Sequence, residues 1–94
     1  MDDSLHRLYQ SILAARARDP AHSKTSKLFH AGIEKMAKKL AEEAVEVGLD
    51  AVHMRRERVI LESADLLYNL TVLWVECGIR PEDVAREITR REEL

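Results

Sequence analysis

Residues 59–75 read VILESADLLYNLTVLWV, seventeen positions whose only charged side chains are Glu62 and Asp65. The run is too long for one strand and suits four to five helical turns, apolar on every side, so it is expected to lie centrally in an all-α fold. It is shorter than the ~20 residues of a membrane span, and two acids interrupt it. The spacing predicts a helix from about Glu57 to Cys77, ended by Gly78. Carboxylates embedded in such a run cost energy and must hold something.

Before it, LAEEAVEVGLD (40–50) lies within a second periodic stretch, from about Ser26 to Val52. Phe29, Ile33, Met36, Leu40, Ala44, Val47 and Ala51 recur at steps of four and three, the stripe of a helix facing a core. Lys35, Lys39, Glu42, Glu43, Glu46 and Asp50 gather on its flank. HMRRE (53–57) separates the two helices. Further out, Leu5, Leu8, Ile12 and Leu13 predict a first helix with Ser4 as its N-cap, ended by Asp19-Pro20. A polar connector, DPAHSKTSK (19–27), follows it. Pro81 suits the first turn of a last helix, with Glu82 and Asp83 complementing its dipole, Val84 and Ile88 inward and RREEL solvated. The expectation is one all-α domain over 1–94: a bundle of four helices around a central antiparallel hairpin.

Composition agrees with that class. The 94 residues are 46% hydrophobic, only 4% aromatic and 34% charged, with net charge −2 and both signs interspersed. No basic stripe favours nucleic acid, and no segment favours a membrane. A single cysteine, Cys77, excludes an internal disulfide and points to a reduced, cytoplasmic setting. The acidic, amphipathic start is not a signal peptide.

The chemistry lies in the carboxylates. With the turn centred near Met54, Glu46 precedes it by eight residues and Glu62 follows it by eight. At 1.5 Å per residue, about 12 Å along each helix, antiparallel packing brings the two level. Glu42 and Glu43 lie four and three residues before Glu46, and Asp65 three after Glu62, so each set shares a helix face. Two like charges 4 Å apart repel by roughly 4 kcal/mol at an effective dielectric near 20. An isolated glutamate pair is ordinarily a solvated face; four or five acids folded together call for a cation. Oxygen ligands without a cysteine pair suit Mg²⁺, or Mn²⁺, better than Zn²⁺.

The pattern E-E-x-x-E, fifteen residues, then E-x-x-D resembles the MazG-type all-α nucleotide pyrophosphohydrolases. SKTSKLFHAG, KLAEEAVEV, ESADLLYNL and GIRPEDVAREITRR extend the resemblance over most of the chain, to the phosphoribosyl-ATP pyrophosphohydrolases of histidine biosynthesis. That resemblance implies that Glu43, Glu46, Glu62 and Asp65 bind magnesium, with Glu42 as a further ligand or the base that orients water. Lys39, one turn before the glutamates, and Lys27 in the matching connector are the implied phosphate contacts. Asn69 is a polar contact to ligand or a helix-interior hydrogen bonder. The implied reaction splits phosphoribosyl-ATP into phosphoribosyl-AMP and pyrophosphate.

Lys24 stands where that family usually has an aromatic, Ala41 for glycine, Asn69 for histidine, and Met54-Arg55 for a frequent Gly-Asp turn. None is an implied metal ligand, but a lost aromatic removes a base-stacking partner. Rival readings are a housecleaning nucleoside triphosphate hydrolase with the same site, a non-catalytic helical interaction module, and a di-iron bundle. The last needs paired Glu-x-x-His motifs, approached only by Asp50-x-x-His53. The four histidines lack ligand spacing, and no glycine-rich phosphate loop exists. An all-round apolar helix in so short a chain leaves surplus surface, so a homodimer sharing its middle helices is expected.

Overall fold

The computed structural model describes residues 3–92, and among them five helices and no strand. The first, α1 (Ser4–Arg16), starts after Asp3, so Ser4 belongs to the helix and does not cap it. It stops at Arg16, short of Asp19-Pro20. Asp19 then turns the chain, its Oδ1 accepting from the Ala21 N–H at 3.0 Å.

The expected connector and second helix are corrected here. The last four residues of DPAHSKTSK are helical: α2 (Lys24–Ala31) is capped by Ser23, whose side chain accepts from the Ser26 N–H. Ser26, fully buried, donates its hydroxyl to the Arg18 carbonyl at 2.5 Å and ties α2 back to the end of α1. The stretch 26–52 is not one helix, because Gly32 breaks it at φ 98° and ψ 167°. Only glycine adopts that conformation without strain. Its carbonyl then receives the Met36 N–H and starts α3 (Ile33–Val52).

Between α3 and α4 (Arg56–Glu76) the chain turns at Met54, as the spacing predicted. The Met54 N–H reaches the Ala51 carbonyl and the Arg55 N–H the Asp50 carbonyl, both at 3.0 Å. This is the paired 6→1 and 5→2 closure of a Schellman motif, with Met54 in the left-handed position at φ 58°. The same closure ends α4 at Gly78 (φ 71°), where the Ile79 N–H reaches the Trp74 carbonyl. The last helix, α5 (Pro81–Glu92), begins on Pro81 and has Asp83 Oδ2 accepting from the Arg80 N–H at 2.9 Å. Ile88, expected inward, is exposed, and the final two residues of RREEL lie outside the described ones.

The most extensive helix contact is α3 on α4; α1 covers α4 and α2 bridges both. Ile12, Leu28, Met36, Val72 and Val75 form the buried core, flanked by Leu8, Tyr9, Phe29, Tyr68 and Leu73. That core covers only the start of α3 and the C-terminal half of α4. Val45, Leu49, Val52, Ile60 and Leu61, around the turn, are exposed, so α4 is central over half its length and not throughout. The α3 stripe is likewise uneven: Met36 is buried, Ile33 is exposed, and so are Ala44 and Ala51. The radius of gyration, 14.4 Å, exceeds the roughly 12.4 Å of a compact chain this long. No helix among the described residues is long and apolar enough to cross a membrane.

Candidate active site

Where α3 and α4 lie against each other, oxygens of Glu43, Glu62 and Asp65 come within 4.8 Å of one another. Glu62 is buried, Glu43 half-buried and Asp65 exposed, the last contrary to an acid enclosed by its apolar helix. Glu43 Oε2 is buried and has no hydrogen-bond partner among the described residues. A buried carboxylate oxygen left bare costs energy, which a cation would remove. Three carboxylates are hard oxygen donors of the kind Mg²⁺ and Mn²⁺ take. The residues therefore fit such an ion.

Glu46 meets Glu62 across the same interface. A hydrogen bond with Glu62, which requires a proton on one of them, holds the Glu46 carboxyl above its ordinary range. Repulsion from the Glu62 charge adds to this, and Glu43 and Arg58 oppose it. Glu42 is exposed and does not join the cluster; with Val45 and Glu46 it lines a separate hollow on the outer side of α3.

Beside the cluster lies a cavity of about 280 Å³, lined by Glu43, Asp65, Lys24, Lys39 and Asn69, with Leu28 and Tyr68 as its apolar wall. Lys39 is thus brought to the acids. Lys27 is not; it lines an adjoining hollow. Asn69 is buried and donates Nδ2 to the Asp65 carbonyl at 2.9 Å, so it makes the helix-interior hydrogen bond and lines the cavity as well. Tyr68 OH and Thr25 Oγ1, 2.6 Å apart, fasten α2 to α4 beside it.

Sequence reasoning missed two partners. Asp50, a buried carboxylate, is paired through Oδ1 with Arg55 Nη1 at 3.4 Å, and through Oδ2 with Arg58 Nε at 3.9 Å. Arg58 also reaches Glu62, Nη2 to Oε1 at 3.2 Å. The four-residue spacing from Arg58 to Glu62 was the available signal.

Carboxylates from two packed helices thus converge beside lysines in an all-α protein. The sequence profile of the family described as phosphoribosyl-ATP pyrophosphohydrolase matches residues 5–92. The chain belongs to that family of enzymes, the one its four quoted segments resemble. It is 67% identical over 94 residues, all of this chain and 72% of the relative, to phosphoribosyl-ATP pyrophosphatase 2 of Rhodopseudomonas palustris. Identity is 64% over 94 residues, covering 70% of the relative, to the protein of that name from Bradyrhizobium diazoefficiens. It is 42% over 90 residues, 96% of this chain and 83% of the relative, to the phosphoribosyl-ATP pyrophosphatase of Geobacter sulfurreducens.

Proposed function

We propose that this chain is a single-domain hydrolase that splits phosphoribosyl-ATP into phosphoribosyl-AMP and pyrophosphate. The observation that carries the reading is the convergence of Glu43, Glu62 and Asp65 with a bare, buried Glu43 oxygen. Glu43, Glu62 and Asp65 would hold magnesium, or manganese, with Glu46 completing the set through its contact with Glu62. When bound, the ion neutralises charge on the phosphate oxygens. Lys39, on the wall of the acid cavity, steadies the polyphosphate, and Asn69 fixes the helix turn that carries Asp65. Glu42 lies outside the cluster, one turn from Glu46 on α3, and would have to turn inward to orient the attacking water. As the water oxygen bonds to phosphorus, its proton passes to that carboxylate and the bond to the leaving pyrophosphate breaks.

The two middle helices form an antiparallel hairpin in this reading. Successive pairs support it: Asp50 with Arg55 and Arg58, Glu46 with Glu62, Glu43 with Asp65, and Lys39 with Asn69 on one cavity. The exposed Val45, Leu49, Val52, Ile60 and Leu61 support a homodimer closed over this hairpin, since covering each large apolar side chain yields about 1.5–3 kcal/mol. Light scattering at micromolar concentration should return twice the chain mass; a monomer would remove the dimer from the proposal. A soluble, cytoplasmic enzyme is proposed with it.

Pyrophosphate release from phosphoribosyl-ATP and from a panel of nucleoside triphosphates, with magnesium and with chelator, tests the activity. Magnesium-dependent release with phosphoribosyl-ATP preferred is expected. Release from common triphosphates alone would replace this substrate with the housecleaning reading, and no release from any would end the enzymatic one.

A further inference from the structure

Four lysines surround one hollow that the reaction above does not fully use. Lys24 and Lys27 come from α2, Lys35 and Lys39 from α3, and together they line a cavity of about 290 Å³ floored by Leu28 and Ala31. The acid cavity shares Lys24, Leu28 and Lys39 with it, so the two are adjoining parts of one groove. None of these four ammonium groups lies within 4.0 Å of a carboxylate among the described residues. Arg16, Arg55, Arg58, Arg80, Arg86 and Arg90 all do. Eight of the ten arginines are paired in this way, whereas these four lysines, like Lys38 outside the hollow, are open, although Lys39 stands one turn from Glu43. Converging positive charges without a counter-charge attract an anion.

We propose that this hollow is a phosphate subsite separate from the acid cluster, taking the phosphate that the substrate carries on its phosphoribosyl end. The inference rests on the proposed function and deepens it. The groove is graded: Lys24 and Lys39 also line the acid cavity, where the carboxylates would need a cation to take a polyphosphate, whereas Lys27 and Lys35 line only the hollow and suit a phosphate directly. A ligand that satisfies both ends has a polyphosphate and a separate phosphomonoester. Phosphoribosyl-ATP has both groups; ATP has only the first. A phosphomonoester near neutral pH carries −1.5 to −2 charges, roughly, and lysines on flexible stems can gather round it as point charges. Leu28 and Ala31 supply an apolar floor for the face of the sugar between.

Lys35 tests this cleanly, because it is exposed and lines the hollow without lining the acid cavity. In Lys35→Gln, kcat/KM for phosphoribosyl-ATP should fall about tenfold relative to kcat/KM for ATP, with the loss carried by KM. Ribose 5-phosphate should inhibit the wild type competitively and the variant at least about fivefold more weakly. Equal losses for both substrates would assign the lysines to the triphosphate and overturn the subsite. Unchanged constants would make them a solvated patch and overturn it too. Should the wild type not hydrolyse phosphoribosyl-ATP at all, the proposed function fails. Ribose 5-phosphate titrated in chelator and followed by NMR then decides the subsite alone: binding weakened by Lys35→Gln supports it, and no binding removes it.

Discussion

Arg58 Nη2 lies 3.2 Å from Glu62 Oε1, on a carboxylate whose side chain is only 9% exposed. The same guanidinium faces Asp50 on the opposite helix. A positive charge therefore already neutralises part of a carboxylate that the proposed cation would use. Removing it leaves the acids more negative, so Arg58→Gln should bind magnesium about three- to tenfold more tightly at low salt, the gain shrinking as salt screens it. The metal-free variant should also melt at a lower temperature, because Asp50 and Glu62 lose their partner. Calorimetric magnesium titration of both proteins checks this; weaker binding in the variant would show that Arg58 positions Glu62 and does not compete for it.

Glu43→Gln and Asp65→Asn each keep side-chain size and remove one charge from the converging oxygens. Either should lower magnesium-dependent turnover at least about a hundredfold, as loss of charge stabilisation in a transition state commonly does. Circular dichroism should stay helical. Activity at the wild-type level in both variants would dissolve the site.

In the folded state a hydrogen bond with Glu62, and then repulsion from its charge, hold the Glu46 carboxyl above its ordinary range, so the two acids are pressed together. Unfolding separates the two helices and relieves that pressure. Glu46→Gln should accordingly raise the melting temperature in chelator and shrink the gain that magnesium gives, since a native-state ligand stabilises by RT ln(1 + [L]/Kd). A variant that melts earlier in chelator, with an unaltered magnesium response, would make Glu46 a scaffold residue.

Met54 occupies a left-handed backbone position at φ 58°, and the residue is 88% exposed. A side chain in that conformation costs roughly 1–2 kcal/mol, which glycine avoids. Met54→Gly should stabilise the protein by about 0.5–1 kcal/mol in chemical denaturation, after the extra chain entropy of glycine is deducted.

At the other end of the molecule, the Arg80 backbone N–H and then its guanidinium hold the Asp83 carboxyl below the ordinary value of 3.8. A depressed carboxylate contributes stability above its unfolded value, and that contribution is lost as pH falls through the folded one. Asp83→Ala should lower the melting temperature at pH 7, and the gap to wild type should close as pH falls below 3.8. A gap constant with pH would place the effect in helix propensity and not in the charge.

What could be read from sequence was whatever depended on local spacing. The turn at Met54, the stop at Gly78 and the start at Pro81 each follow from a few neighbouring residues. So does the meeting of Glu46 with Glu62, once two helices of equal reach are folded together. The break at Gly32 escaped because the apolar period runs through it unbroken from Phe29 to Met36, and period alone carries no information about φ. The start of α2 is set by Ser23, whose side chain accepts from the Ser26 N–H, a contact on which apolar period carries no information. Asp50 escaped for a different reason: its burial depends on Arg55 and Arg58 folding back over it, a tertiary event. The exposed Val45, Leu49 and Ile60 look like core in sequence because apolar spacing does not say how far the neighbouring helices reach to cover them.

In an unbroken helix, Lys24 and Lys39 would stand fifteen rises apart, about 22 Å at 1.5 Å each, too far to share one small ligand. Gly32 folds that length back, and the two ammonium groups wall the same cavity. The reach of the groove is thus written in a single backbone angle and not in any side chain that lines it. A Cβ at residue 32 would meet no atom within 4 Å, so what a substitution there disturbs is direction and not packing. Its signature would be a protein that keeps its acids in register while its grip on anions slackens, the two ends of one molecule uncoupled by a residue that touches neither.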